Sequence, residues 1–198
     1  MLARHYYRMA CQNAWANHRL HAACAQLTPE AFAATRVSFF PSIVATLNHI
    51  LTVDWYYVDA LERWQRRREV NAEPWSFYEP EVPCTDAREL RAAQRACDER
   101  LIALCDTLDD ARLDEGVALM RRAGLQHEPA HRLLDHLFQH QIHHRGQAHA
   151  MLAGTSVEPP QLDEFFCANE AHLRAAELAE LGYSEELIWG LGLGRLKK

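Results

Sequence analysis

The sequence predicts an all-α protein: a four-helix bundle with long connections and an extra C-terminal helix, in one domain over residues 1–198. Three observations lead there. Four long segments carry apolar residues at three-four spacing, the period of a helix with one buried face. Those segments are bounded by proline and by capping residues rather than by turn pairs of the hairpin type. Only the stretch Ala111 to Leu125 resists a helical reading, and it is predicted to hold short strands or irregular structure.

The first helix is expected from Leu2 to Leu27 and is stopped by Thr28-Pro29. The second starts at Pro41-Ser42, with proline tolerated in the first turn because its missing N–H has no helical partner there. It continues to about Arg67. Val44, Leu47, Leu51, Trp55 and Val58 mark one apolar face, and Ala45, His49, Val53, Tyr56 and Ala60 a neighbouring one, so this helix is expected to be central. A connection from Asn71 to Thr85 follows. Its Trp75, Phe77 and Tyr78 should pack it over the bundle. The third helix begins at Thr85-Asp86, with Glu89 three residues beyond Asp86, and runs to about Leu108. The fourth runs from Pro129 to Gly154. Pro159-Pro160 then opens a fifth, from Gln161 to Leu181, and a short turn follows Ser184. The end, Gly190 to Lys198, is expected to be loosely held.

Composition narrows the function. The 198 residues carry a formal net charge of -6 with histidine neutral, which disfavours a nucleic-acid partner. There is no apolar run of membrane-spanning length and no apolar signal core near Met1. The six cysteines form no CxxC pair, so free thiols in a cytoplasmic protein are expected.

Chemistry is concentrated in the fourth helix. Seven of the twelve histidines lie between His127 and His149, too many in one segment to read as scattered surface residues. His140 and His144 are four apart and fall on one helix face, on a stripe with Leu133, Leu137, Gln147 and Met151. Leucine would suit those two positions in a packed bundle, and a buried imidazole needs a partner. A spaced pair favours metal binding over two satisfied core histidines. His49, the one histidine of the second helix, is the best candidate for the third ligand; alone it reads equally as a satisfied core histidine, but with the pair it completes a three-histidine set. The set suits zinc, nickel or another first-row divalent ion and leaves a position open. The HExxH protease reading fails, because Gln141 stands where that chemistry needs a glutamate base. His136 and His143 flank the pair as alternative ligands or supporting groups. His127 and His131 read as surface residues, and His5, His18, His21 and His172 have no evident partners. Arg66, Arg67 and Arg68 are explained by the C-terminal end of their helix.

Asn13-Ala14-Trp15-Ala16-Asn17, Leu47-Asn48-His49-Ile50-Leu51, His140-Gln141-Ile142-His143-His144-Arg145-Gly146-Gln147 and the segment Pro159 to Phe166 resemble the DinB/YfiT-like superfamily over nearly the whole chain. The resemblance implies an up-down-down-up bundle, often a homodimer, with His49, His140 and His144 holding nickel or zinc. Relatives in that superfamily include mycothiol-dependent maleylpyruvate isomerase and bacillithiol transferases. The expectation is therefore a metal-dependent enzyme that transfers a low-molecular-weight thiol to a small electrophilic substrate, without nucleic acid or membrane as partner. The alternatives are a metal-dependent hydrolase and a non-enzymatic metal-binding stress or structural protein. Gly146 is expected to permit close helix approach, Gln147 to orient a ligand or bound water, and Tyr56 to line the pocket.

Overall fold

The computed structural model describes residues 1–190. It is mainly helical with a small two-stranded sheet. The elements, in order, are α1 (Leu2–Cys24), α2 (Pro29–Ala33), α3 (Ile43–Gln65), α4 (Ala87–Asp106), β1 (Gly116–Arg121), β2 (Gly124–Pro129), α5 (Ala130–Leu152), α6 (Ala171–Leu181) and α7 (Glu185–Trp189). Short 3-10 turns occupy Pro74–Tyr78, Asp110–Arg112, Glu164–Phe166 and Ala168–Glu170. The four long helices are α1, α3, α4 and α5. Both α1 and α3 pack on α4 and on α5.

Local chemistry explains the helix starts. Ser42 caps α3 by accepting from the Ala45 N–H, and Asp86 caps α4 by accepting from the N–H groups of Arg88 and Glu89. Pro41 sits before the Ser42 cap rather than in the first turn, so it shapes the approach of the chain and not the helix itself. α3 is the central helix expected from its two apolar faces: Ile43, Leu47, Ile50, Leu51, Val58 and Leu61 are buried against α4, α5 and β1.

The stretch with no helical pattern is a hairpin. β1 and β2 pair antiparallel, with Gly116 opposite Pro129 and Arg121 opposite Gly124. Val117 and Leu119 face inward onto α3, as the two-residue period of a strand requires. Arg121, two residues further, has that same inward register.

The fifth helix is shorter than the sequence predicts. Two 3-10 turns, Glu164–Phe166 and Ala168–Glu170, stand where the helix is expected to run, and α6 begins only at Ala171. Tertiary contacts override the helical pattern here. Phe165 is fully buried 5.6 Å from the Trp15 ring. The buried Arg174 guanidinium donates to the carbonyls of Glu164 and Cys167 and to Glu185, satisfying acceptors a continuous helix would have used itself. Gly182 ends α6 in the left-handed region, at φ 83°, where a residue without Cβ is favoured. Of the expected loose C-terminal end, residues 191–198 lie outside the described residues. The cysteines are free thiols, as expected. Among the described residues no helix is long and apolar enough to cross a membrane.

His21 is one of the histidines for which the sequence offers no evident partner. It is buried on α1 with Nδ1 lacking any hydrogen-bond partner among the described residues. Burial pushes its pKa down to about 3, with Arg91 and Arg145 adding to the effect. The unfolded chain therefore binds a proton below about pH 6.5 that the folded chain refuses. Stability from this residue is present above that pH and lost as pH falls toward the folded value. Relative to a His21→Leu variant, the wild type should lose about 1.4 kcal/mol per pH unit between pH 6 and 4. Parallel denaturant titrations of the two proteins check this, and parallel stability curves would contradict it.

Candidate metal centre

α3 and α5 lie side by side, and His49, His140 and His144 meet at their shared edge. One ligand atom from each lies within 4.8 Å of the others. The Nε2 atoms of His49 and His140 are 2.9 Å apart. Two neutral imidazole nitrogens at that distance must either share a proton or face a common cation. Gln147, one turn beyond His144, has its Oε1 2.8 Å from His144 Nδ1. That contact assigns the proton to Nδ1 and leaves Nε2 as a free lone pair, the arrangement a metal-binding histidine needs. Gln147 thus orients the histidine itself.

Electrostatics keeps the rings neutral. Burial, followed by the neighbouring His144, lowers the His49 pKa to about 4. Burial and the surrounding His144, His49, His136 and His143 bring His140 down to about 3. His144 is also lowered, chiefly by burial, against an opposing contribution from Gln147. Neutral imidazole is the form that coordinates a cation. His140 Nδ1 is buried without a partner among the described residues. Phe40, from the segment between α2 and α3, closes one side, its ring 4.2 Å from that of His49 and 5.5 Å from that of His144. No carboxylate belongs to the cluster.

The remaining sequence candidates do not join the ligand cluster. His136 is exposed and meets Tyr57, with ring centres 5.2 Å apart. His143 is exposed beside Gln147. His127 is an exposed residue of β2, and His131 contacts the Leu113 carbonyl. His18, expected to lack a partner, lies 3.3 Å from Glu180. Tyr56 does not reach the triad: its hydroxyl donates to the Met120 carbonyl, and its ring lines a separate cavity with Trp75 and Arg121. Gly146 is exposed, and a Cβ there would meet nothing within 4 Å, so it serves no close helix approach within this chain.

A buried polar network beside the triad is what the sequence reading missed. Arg145 is buried on α5 and donates to Asn13 Oδ1 (2.7 Å) and Asn17 Oδ1 (2.9 Å) on α1. The amide nitrogens of the same two residues donate to Asp98 on α4, at 3.2 and 3.1 Å. Gln94 bridges Asp98 and Asp54 of α3 (3.1 and 2.8 Å), and Gln141 of α5 donates to Asp54 as well. All four long helices are therefore tied by one set of contacts. Burial pushes the Asp98 pKa up to about 7, against the lowering effect of Asn17, Gln94 and Arg145. Burial, then Asp98, raises Asp54 well above the carboxylate range. Gln141 and Arg145 each follow a triad histidine in sequence. With them turned into the core, His140 and His144 are presented about 100° away, toward α3.

A family model described as the DinB family matches residues 1–177. No curated protein matches the chain. The matched span takes in every residue of the triad and of the buried network, and the chain belongs to the DinB family.

Proposed function

We propose that His49, His140 and His144 hold one divalent first-row ion, nickel or zinc, and that the protein transfers a low-molecular-weight thiol to an electrophilic small molecule. The proposal includes the remaining family features: a four-helix bundle of the DinB/YfiT-like type, a homodimer, and a cytoplasmic setting without nucleic acid. The observation that carries it is the convergence of three imidazoles, from two helices, on one point.

An ion bound there would favour the deprotonated form of a thiol that approaches it. The protein's own groups do the rest. Gln147 fixes the His144 tautomer. Phe40 covers one side of the triad and limits water access. In the transfer itself sulfur forms a bond to the electrophilic carbon, the leaving group departs with the bonding pair, and the thiol proton passes to solvent. The cluster contains no carboxylate to act as a base for water, which favours thiol transfer over hydrolysis.

The test is thiol consumption with an activated aryl halide, using nickel- or zinc-loaded wild type and His140→Ala. Acceleration by wild type alone, at least about 100-fold over the variant, is expected if the ion stabilises developing charge as such centres do. A loaded wild type that consumes no cysteine-derived thiol faster than the variant would overturn the transferase reading.

A further inference from the structure

A half-buried arginine lines the cavity beside Tyr56. β1 carries Val117, Leu119 and Arg121 at its inward register, so a guanidinium stands where the alternation calls for an apolar residue. It is stacked over two rings, 5.3 Å from the centre of Tyr56 and 5.5 Å from that of Tyr57. One nitrogen donates to the Tyr57 hydroxyl at 2.9 Å. Among the described residues Arg121 makes no other hydrogen bond and has no carboxylate within ion-pair distance. By contrast Arg19, Arg63, Arg100, Arg112 and Arg174 all have carboxylate partners. A half-desolvated cation without a counter-ion is costly unless something anionic visits it.

The surroundings suit a ligand. Arg121 lines an open cavity of about 790 Å3 with Tyr56, Trp75, Tyr78 and Arg122, aromatic walls with a cationic floor. Side chains connect this cavity to the triad. The His140 ring lies 6.0 Å from that of His136, His136 lies 5.2 Å from Tyr57, and Tyr57 accepts from Arg121. Three successive ring contacts therefore separate the guanidinium from His140. Glu73 and Glu79 also line the cavity, so a single negative charge is better accommodated than a phosphate dianion.

We infer that Arg121, with the Tyr56 and Tyr57 rings, binds the carboxylate of an elongated small molecule whose other end reaches His49, His140 and His144. This deepens the proposed function by naming a substrate class, and it rests on that reading only for the reacting end. The planar guanidinium offers a paired-donor face to a carboxylate, and the tyrosine rings hold it in place.

The test has two arms. In the first, metal-free full-length protein is titrated calorimetrically with 4-phenylbutyrate, 4-phenylbutanol and phenyl phosphate. Wild type should bind the carboxylate about tenfold more tightly than the alcohol. Arg121→Met should abolish that preference and leave the alcohol unchanged, while Arg121→Lys restores part of it. Equal binding of carboxylate and alcohol by the folded wild type overturns the inference, as does a preference that survives Arg121→Met. Tighter binding of phenyl phosphate overturns the carboxylate assignment. In the second arm, cobalt-loaded protein is titrated with 6-mercaptohexanoate and 6-mercaptohexanol while the cobalt–sulfur absorption band is read. The carboxylate should lower the concentration needed for half-maximal band about tenfold, and Arg121→Met should remove that advantage. No band with either thiol counts against the thiol reading of the triad, while carboxylate binding at Arg121 is still decided by the first arm. A band with equal half-maxima overturns the link between the two ends.

Discussion

Replacing Arg145 by alanine should destabilise the protein by about 3–5 kcal/mol, the cost of leaving buried polar groups and charge without their partner. Arg145 is 4% exposed and holds two asparagine carbonyls that in turn aim their amide nitrogens at Asp98. Without the guanidinium, Asn13 and Asn17 lose the contact that sets their orientation, and Asp98 loses an opposing charge. For a chain of this size the loss corresponds to a melting temperature lower by on the order of 10 °C. An Asp98→Asn substitution in the same background should recover part of the loss, because the two residues belong to one network. Thermal and denaturant unfolding of the single and double variants measure this. A loss below about 1 kcal/mol for Arg145→Ala would mean that the network contributes little beyond its packing volume.

Metal should stabilise the folded chain, and the triad should be the reason. A ligand that binds only the folded state adds RT ln(1 + [L]/Kd), about 4 kcal/mol when free metal is a thousandfold above Kd. Nickel or zinc should therefore raise the unfolding midpoint of the wild type. His49→Ala, His140→Ala and His144→Ala should show no such rise. The metal-free stabilities of His49→Ala and His140→Ala should stay close to that of metal-free wild type, since those two histidines are only partly buried, whereas His144 is buried. Acidification should release the ion, because protons compete for the ligand nitrogens. A variant that still gains the full stabilisation would show that its histidine is not a ligand.

How much of this was legible in the sequence differs by element. The long helices were, because their apolar residues recur at helical spacing and Ser42 and Asp86 have the side chains that cap a helix. The hairpin was legible only as an absence of helix. Its two-residue connection, Arg122-Ala123, lacks the usual Asn-Gly or Asp-Gly signal, and Gly124 takes the positive φ one residue later. The start of α6 was not legible, since Phe165 and Arg174 act through contacts far along the chain.

The triad was readable from its i, i+4 pair, but the second polar face beside it was not. The expected stripe placed His140 and His144 in the middle of the core face. Leu133, Leu137, His144 and Met151 of that stripe are buried and His140 is half-buried, and a second buried face carries Leu134, Phe138, Gln141, Arg145, Ala148 and Leu152. The signal was present: Gln141 and Arg145 stand at apolar spacing, as do Asp54 in α3 and Gln94 and Asp98 in α4. Polar residues at core positions on several helices imply mutual satisfaction, and only the fold shows which pairs meet. Phe40 and Arg121 carry no periodic signal of their own, because a segment of irregular structure and a short strand bring them to their places.

The central claim is that three histidines on two helices bind one ion. Elemental mass spectrometry of untagged protein, after exposure to nickel or zinc and desalting, tests it most directly. The claim predicts about one ion per chain for the wild type and little or none for His49→Ala, His140→Ala and His144→Ala. A folded wild type that retains no nickel or zinc, or variants that retain as much as the wild type, would contradict it.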